Sequence, residues 1–158
     1  MWPVHIHYSI IIRKKILASI TVVSAITSDG ESYLGLQPFV AKIVKDDSEA
    51  RLYRVTERVP APFGLWKMNN SFEVRITPIE DQDGRGMDMS GKFDMSFFAP
   101  KFESKVRVKE TEEPGVVEVT EIMNAKVFSL MAVYITGLME YAHQVLLDRL
   151  AERAERDG

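Results

Sequence analysis

The chain has 158 residues, of which 46% are hydrophobic and 27% are charged, and its formal net charge is −3. These values are ordinary for a globular protein, and the small negative charge excludes the basic footprint of a nucleic-acid-binding protein. The sequence contains no cysteine, which excludes disulfides, thiolate metal ligands and a cysteine nucleophile. We therefore expect a single domain over residues 1–158, and we predict a cytoplasmic location.

The chain begins with a pattern that is typical of a strand followed by two short helices. Residues 4–12 alternate, with Val4, Ile6, Tyr8 and Ile10 on one face of the predicted strand. Residues 13–26 combine three basic residues with an apolar run, as a signal peptide does, but the run is too short to span a bilayer. Its helical spacing favours a short helix, and Ser28 or Asp29 is a candidate cap for a second helix ending near residue 36.

The pattern in the middle of the chain predicts six further strands, separated by turns rich in acidic residues, glycine or proline. The predicted strands cover residues 39–45, 51–59, 65–79, 87–98, 102–109 and 116–124. The alternation is disturbed at Ser90 and Gly91, which predicts a bulge or a sharp bend there. Consecutive strands joined by short turns indicate an antiparallel meander.

The last element is a long helix that we predict over residues 127–156. Its apolar residues recur at helical spacing and form one broad stripe, which needs a partner surface: Val127, Met131, Tyr134, Ile135, Leu138, Ala142, Val145 and Leu146. The strands before it supply that surface. We therefore expect an α+β architecture in which a curved antiparallel sheet of about seven strands wraps around the C-terminal helix. Such a sheet commonly leaves a space beneath the helix, where a ligand site is to be sought.

This order of strand, two helices, six strands and long helix resembles the helix-grip fold of the START, polyketide-cyclase and birch-pollen-allergen superfamily (SRPBCC). Gln37-Pro38-Phe39-Val40, leading into Lys42-Ile43-Val44, is similar to that superfamily's passage from second helix to second strand. Residues 119–123, 127–131 and 142–150 are also similar to a set of small fungal proteins of unassigned function. The resemblance implies a cavity for a hydrophobic ligand. Superfamily members use such cavities for lipid carriage, hormone sensing, and aromatase, cyclase or isomerase chemistry in secondary metabolism.

Glu121 is the acidic residue with the strongest functional pattern. If Val117, Val119 and Met123 face inward, Glu121 shares their face and projects into the apolar space. A carboxyl there has its charged form disfavoured by desolvation and becomes a candidate general acid or base. The opposite register, which Val116 and Ile122 equally allow, places Glu121 outside among basic neighbours.

Two other polar residues are candidates for the same chemistry. Asn70 interrupts an otherwise apolar strand face, so it either hydrogen-bonds a ligand carbonyl or satisfies a neighbouring backbone group. Tyr8 offers a phenol hydroxyl to the cavity, although tyrosine at such a position more often serves as amphipathic lining, as Tyr134 would. The resemblance brings no catalytic signature that could be carried over to these positions.

The predicted lining of the cavity is rich in methionine and aromatic residues, which suit an irregular apolar ligand and suit a plain core equally well. We expect the ligand to contact Trp66, Met68, Phe72, Met87, Met89, Phe93, Phe97, Phe102, Met123, Met131 and Tyr134. His5 and His7 share one strand face and provide at most half of a metal site, so we predict no metal and no cofactor. His143 lies at the edge of the helical stripe, where we expect a position on the flank, and the alternative is a position beside a mouth of the cavity.

These observations predict a cofactor-independent enzyme that binds a polyketide- or terpenoid-like molecule and steers its cyclisation or isomerisation. The cavity would hold a flexible substrate in one reactive conformer, with Glu121, Asn70 and Tyr8 polarising a carbonyl or moving a proton. A non-catalytic carrier or sensor of such a ligand is the alternative. The expected partner is a hydrophobic small molecule, without nucleic acid or a membrane span, and homodimerisation is open.

Overall fold

The protein is described by a computed structural model over residues 4–82, 84–94 and 101–158. Within these residues the element order is that predicted from sequence: a strand, two short helices, six strands and a long helix. The elements are β1 (His5–Leu17), α1 (Ile20–Ser28), α2 (Gly30–Leu34), β2 (Val40–Lys45), β3 (Leu52–Pro60), β4 (Lys67–Asp81), β5 (Gly84–Phe93), β6 (Phe102–Glu110), β7 (Val116–Phe128) and α3 (Ala132–Asp157).

Among the described residues the strands form one antiparallel sheet with the spatial order β1-β7-β6-β5-β4-β3-β2. Strands β2 to β7 are a meander, in which each strand pairs with its neighbour in the chain. The meander ends when β7 pairs with β1 along its whole length, from His5 opposite Phe128 to Leu17 opposite Val116. This last pairing joins the first and the last strand of the chain in one sheet.

Helix α3 packs against the inner face of the sheet, and the core lies between them. Residues of α3 at helical spacing are fully or almost fully buried, including Leu146, Leu150 and Ala154. The segment Ser129–Asp157 is the one helix in the described chain whose length and composition would suit a membrane span. Its buried stripe faces the sheet and contributes to the protein core, whereas Leu130 and Val133 near its start are exposed.

The first strand is longer than the sequence predicts, and the first helix begins later. Residues 13–17, assigned to a helix by their apolar spacing, continue β1 because β7 supplies a partner for every one of them. Ser19 then caps α1 by accepting a hydrogen bond from the backbone N–H of Val22. The prediction of a helix from residue 13 was therefore wrong, since a tertiary pairing overrides local spacing.

The last helix also begins later than predicted. Val127 and Phe128 belong to β7, where they pair with Ile6 and His5 of β1, and α3 starts at Ala132. The apolar character of Val127 suits a buried strand as well as a helix, so the spacing alone placed the boundary wrongly.

The predicted bulge at Ser90 and Gly91 is absent, because β5 keeps one continuous register with β4 through both residues. The disturbed alternation has another cause. A Cβ atom on Gly91 would lie 2.2 Å from two atoms of the Phe102 ring, so the glycine makes room for that ring on the inner face. The predicted strand at residues 87–98 is described as far as Phe93, and its remainder lies outside the described residues.

Candidate functional site

The space between α3 and the sheet contains two adjoining compartments, each with a volume of about 90 Å³. Five residues border both of them: Glu57, Val59, Phe93, Leu138 and Met139. The first compartment extends toward α2 and strands β6 and β7, and the second extends along β4 toward the start of α3. Most of the lining is apolar, and the polar side chains are few, which is the usual composition of a small-molecule site.

Seven of the predicted lining residues border these compartments. Phe72, Met89, Phe102 and Met123 line the first, Met68 and Tyr134 line the second, and Phe93 lines both. The ring hydroxyl of Tyr134 donates a hydrogen bond to the carbonyl oxygen of Pro60, so it is engaged by the protein itself.

The other predicted lining residues lie elsewhere. Met87 is fully buried in the core and Met131 packs at its edge, so neither borders a compartment. Trp66 was expected to face inward, but its side chain is 59% exposed because it lies in the loop that precedes β4. Phe97 lies outside the described residues.

Glu121 points into the interior and is only 1% exposed. It follows the inward register that Val117, Val119 and Met123 set along β7. One carboxylate oxygen, Oε1, accepts a hydrogen bond of 2.9 Å from the Ser104 hydroxyl of the neighbouring strand. The carboxylate lies behind the lining residues and borders neither compartment, so it acts on the cavity through its neighbours.

His143 connects this buried carboxylate to the cavity. Its Nδ1 lies 2.9 Å from Oε2 of Glu121, an ion-pair distance, and the imidazole is itself among the lining residues of the first compartment. The other ring nitrogen, Nε2, lies 3.5 Å from the amide nitrogen of Gln37. A carboxylate at Nδ1 keeps the proton on that nitrogen, so the Nε2 edge is the one available for proton transfer.

The charge of His143 is set by opposing effects. Burial acts to lower the pKa of His143. Three effects outweigh burial and raise the pKa: the negative charge of Glu121, contact with its carboxylate, and the charge of Glu57. Tyr33 of α2 also borders the first compartment. Burial, the charge of Glu121 and contact with that carboxylate raise the pKa of Tyr33 well above its ordinary value, so its phenol stays protonated.

A second polar pair lies on strands β3 and β4, where Glu57 and Asn70 are directly opposite one another. Burial raises the pKa of Glu57 to about 7, while a hydrogen bond from the Asn70 side chain and the charge of His143 oppose the shift. Because an ionised carboxylate only accepts hydrogen bonds, the amide NH₂ of Asn70 must face Glu57. The amide oxygen of Asn70 is buried and has no hydrogen-bond partner among the described residues.

Tyr8 is not part of this arrangement. Its side chain is half-buried on the inner face of β1, and it borders neither compartment. Burial and the nearby charge of Glu140 raise the pKa of Tyr8. Its position between β1 and α3 fits the amphipathic lining of the core, rather than contact with a ligand in the cavity.

Sequence reasoning missed Glu57, and for His143 it favoured the flank over a position beside the cavity. The signal for Glu57 was present, because it interrupts the inward set Tyr53, Val55 and Val59 as Asn70 does on β4. His143 was expected on the flank, but it is 6% exposed and faces Glu121. Within the described ranges no group of three or more histidine, aspartate or glutamate side chains could hold a metal ion.

Comparison of the chain with known proteins gives no match to a family model and no match to a curated protein sequence. Solved structures do match. A norcoclaurine synthase from Thalictrum flavum, a point mutant in complex with a transition-state analogue, has a TM-score of 0.68 at 12% identity, with 98% of each chain covered. A START superfamily protein from Mycobacterium smegmatis has a TM-score of 0.65 at 14% identity, covering 98% of this chain and 99% of that one.

A third match is the di-domain ARO/CYC protein StfQ of the steffimycin biosynthetic pathway, with a TM-score of 0.66 at 9% identity. It covers 96% of this chain but 52% of that protein, which has two domains. The chain has the helix-grip fold. At these identities the likeness concerns the fold alone, and the narrower likeness to fungal proteins stays a prediction.

Proposed function

We propose that the helix-grip cavity binds a hydrophobic small molecule and that His143 moves a proton during its cyclisation or isomerisation. The observation that carries this proposal is a buried imidazole that borders an apolar cavity on one side and a buried carboxylate on the other. The fold likeness to a synthase and to a cyclase-type protein is consistent with it. A polyketide- or terpenoid-like intermediate of secondary metabolism is the substrate class we favour.

In this mechanism His143 is the catalytic residue and Glu121 is a positioning residue. Glu121 holds the proton of the neutral imidazole on Nδ1 and stabilises the charged imidazole that forms when Nε2 accepts a proton from a bound substrate; Nε2 then returns that proton to another atom. Ser104 fixes the carboxylate in turn through its 2.9 Å hydrogen bond. The predicted role of Glu121 as the direct acid or base is thereby transferred to the histidine that it orients.

Glu57 supplies a second group for proton transfer on the opposite wall. A general acid or base works best when its pKa lies near the operating pH, and burial raises the pKa of Glu57 to about 7. It borders both compartments, so a molecule that occupied them would contact Glu57 and His143 together. Two such groups on facing walls suit a reaction that removes a proton at one atom and adds it at another.

The dimensions of the cavity indicate a compact substrate or a ring within a larger one. A dry cavity of about 150 Å³ holds a benzene ring. One compartment of about 90 Å³ is smaller than that, whereas the two together are large enough. The wall between them includes the flexible side chain of Met139, which can adapt to a ligand of irregular shape.

The first experiment is native mass spectrometry of the protein purified from its own producing cells, with identification of any retained small molecule. The retained compound and its close analogues are then tested for turnover by the wild type, His143→Asn and Glu121→Gln. We expect His143→Asn to reduce turnover by about 10²- to 10⁴-fold. Glu121→Gln should also move the limb of the pH–rate profile that reports His143 to lower pH, because the carboxylate raises that pKa.

The matched control is Glu140→Gln, which removes an exposed carboxylate from the same helix and should leave turnover unchanged. Undiminished turnover in His143→Asn would contradict the catalytic role. Repeated recovery of an empty protein, together with thermal stability that ignores apolar ligands, would contradict the cavity proposal as a whole.

A non-catalytic carrier or sensor is the second candidate. One observation favours it: Glu121 accepts a hydrogen bond from Ser104 and lies at ion-pair distance from His143, so its charge is balanced within the fold without any substrate. A carrier would retain its ligand unchanged, and His143→Asn would alter the affinity without any turnover to lose. The same two measurements, retention and turnover, therefore separate the two candidates.

A further inference from the structure

The second compartment presents hydrogen-bond acceptors to a ligand. Asn70 and Glu57 both border it, and the buried amide oxygen of Asn70 has no hydrogen-bond partner among the described residues. The amide NH₂ of Asn70 is directed to Glu57, so it is not available to a bound molecule. The hydroxyl of Tyr134 is engaged by the carbonyl oxygen of Pro60.

A buried acceptor without a donor is costly, and each such group requires an explanation. The surrounding wall supplies none, since Val59, Met68, Ile135, Leu138 and Met139 carry no hydrogen-bond donor in their side chains. Asn69, the other amide at this compartment, is an exposed strand residue at its outer edge. A molecule that enters the compartment can supply the missing donor.

We infer that the ligand carries a hydroxyl group on an apolar ring or chain, and that this hydroxyl donates to Glu57 or to the amide oxygen of Asn70. The inference rests on the proposed ligand site and specifies the substrate class for it. It also reverses the expectation that Asn70 binds a ligand carbonyl, because the atom of Asn70 that lacks a partner among the described residues is an acceptor. A ligand whose polar atom only accepts would leave the buried acceptors unpaired and would be rejected.

The preference for a hydroxyl-bearing ligand should depend on pH, because the charge of Glu57 does. An ionised carboxylate is the stronger acceptor, and hydrogen bonds to charged groups contribute more than those between neutral groups. Preference for a hydroxyl-bearing ligand should therefore increase as the pH rises through the range in which Glu57 ionises. His143 faces Glu57 across the cavity, and the positive charge of its imidazole supports that ionised form.

The test compares three probe compounds of similar size, namely phenol, fluorobenzene and benzaldehyde, in NMR or calorimetric titrations of the full chain. Phenol donates, benzaldehyde only accepts, and fluorobenzene does neither effectively. At pH 8 we expect phenol to bind at least about tenfold more tightly than either of the others. At pH 5.5 the ratio should fall, because Glu57 is then protonated, while the amide oxygen of Asn70 still accepts.

Two variants and one control test which residues cause the preference for phenol. Asn70→Leu and Glu57→Gln should each reduce the ratio of phenol to fluorobenzene affinity severalfold, while fluorobenzene still binds. Asn124→Leu is the matched control, because Asn124 is exposed on β7 and should leave the ratio unchanged. Thermal unfolding of each variant shows that it is folded, and the ratio remains informative even where the absolute affinity falls.

The outcomes separate this inference from the proposed function. Equal binding of phenol and fluorobenzene, or tighter binding of benzaldehyde, would overturn the inference and leave a hydrophobic ligand site in place. Failure of all three compounds to bind would overturn both. A preference for phenol that survives both Asn70→Leu and Glu57→Gln would place the acceptor elsewhere and would also overturn the assignment.

Discussion

Replacing Glu57 by glutamine should stabilise the protein at pH 8 and have little effect at pH 5. Burial raises the pKa of this carboxyl from 4.5 to about 7, even though a hydrogen bond from Asn70 and the charge of His143 favour the ionised form. Between these two values the folded protein binds more protons than the unfolded chain. Its free energy of unfolding therefore falls as the pH rises through this interval. Glutamine has nearly the same shape and carries no charge at any of these pH values.

The magnitude follows from the two pKa values. Proton linkage between a value of 4.5 in the unfolded chain and about 7 in the folded protein gives a loss of about 2.5 kcal/mol between pH 5 and pH 8. Glu57 is only partly buried, so solvent screens part of its charge. We therefore expect the advantage of Glu57→Gln over the wild type to grow by about 1 to 2 kcal/mol over that interval.

Urea unfolding at pH 5, 6, 7 and 8 measures this difference directly. Glu103→Gln is the matched control, since Glu103 is an exposed strand residue, and its effect should stay within about 0.5 kcal/mol at every pH. The raised pKa of His143 makes the wild type lose stability over a similar range, but that contribution is largely shared by both proteins and cancels in their difference. Parallel curves for the wild type and Glu57→Gln would refute the reasoning.

Two further predictions concern the packing and the polar contacts that position the site. Gly91→Ala should destabilise by about 1 to 3 kcal/mol, because its Cβ would lie 2.2 Å from the Phe102 ring. A Cβ atom on Gly137, which lies in helix α3, would have no atom within 4 Å. Gly137→Ala should therefore stabilise the protein by up to about 1 kcal/mol. Equal effects of the two glycine substitutions in thermal unfolding would contradict the packing argument. Ser104→Ala removes the hydrogen bond to Glu121 and should cost about 1 to 3 kcal/mol. An unfolding free energy unchanged by this substitution would show that the bond contributes nothing.

The order of elements could be predicted from sequence because periodicity is a local property. Alternation along β7 indicated that Val117, Val119 and Met123 share a face, and the structure places all three inside. The ends of the elements could not be predicted in the same way. Ile16 suits a helix by spacing and a strand by type, and the choice depends on β7, which lies a hundred residues away in sequence.

The sequence could predict only those features of the candidate site that depend on alternation along a single strand. Alternation along β7 allowed two registers, and one of them placed Glu121 inside. The same rule applied to β3 would have indicated that Glu57 faces inward. The meeting of His143 with Glu121 depends on where α3 crosses the sheet. No periodicity within the helix specifies that crossing, so a residue at the edge of the stripe was expected on the flank although it lies inside.

The buried charges themselves argue for a functional origin of the site. When His143 is positive and Glu121 negative, their charges cancel, and an ionised Glu57 is the uncompensated charge of the cavity. An apolar residue at position 57 would remove this cost and stabilise the fold, because a well-packed hydrophobic group is often better than a buried ion. A carboxyl retained at the expense of stability is typical of a binding or catalytic site. A ligand hydroxyl that donates to Glu57 would recover part of that cost, so binding of such a ligand should stabilise the fold.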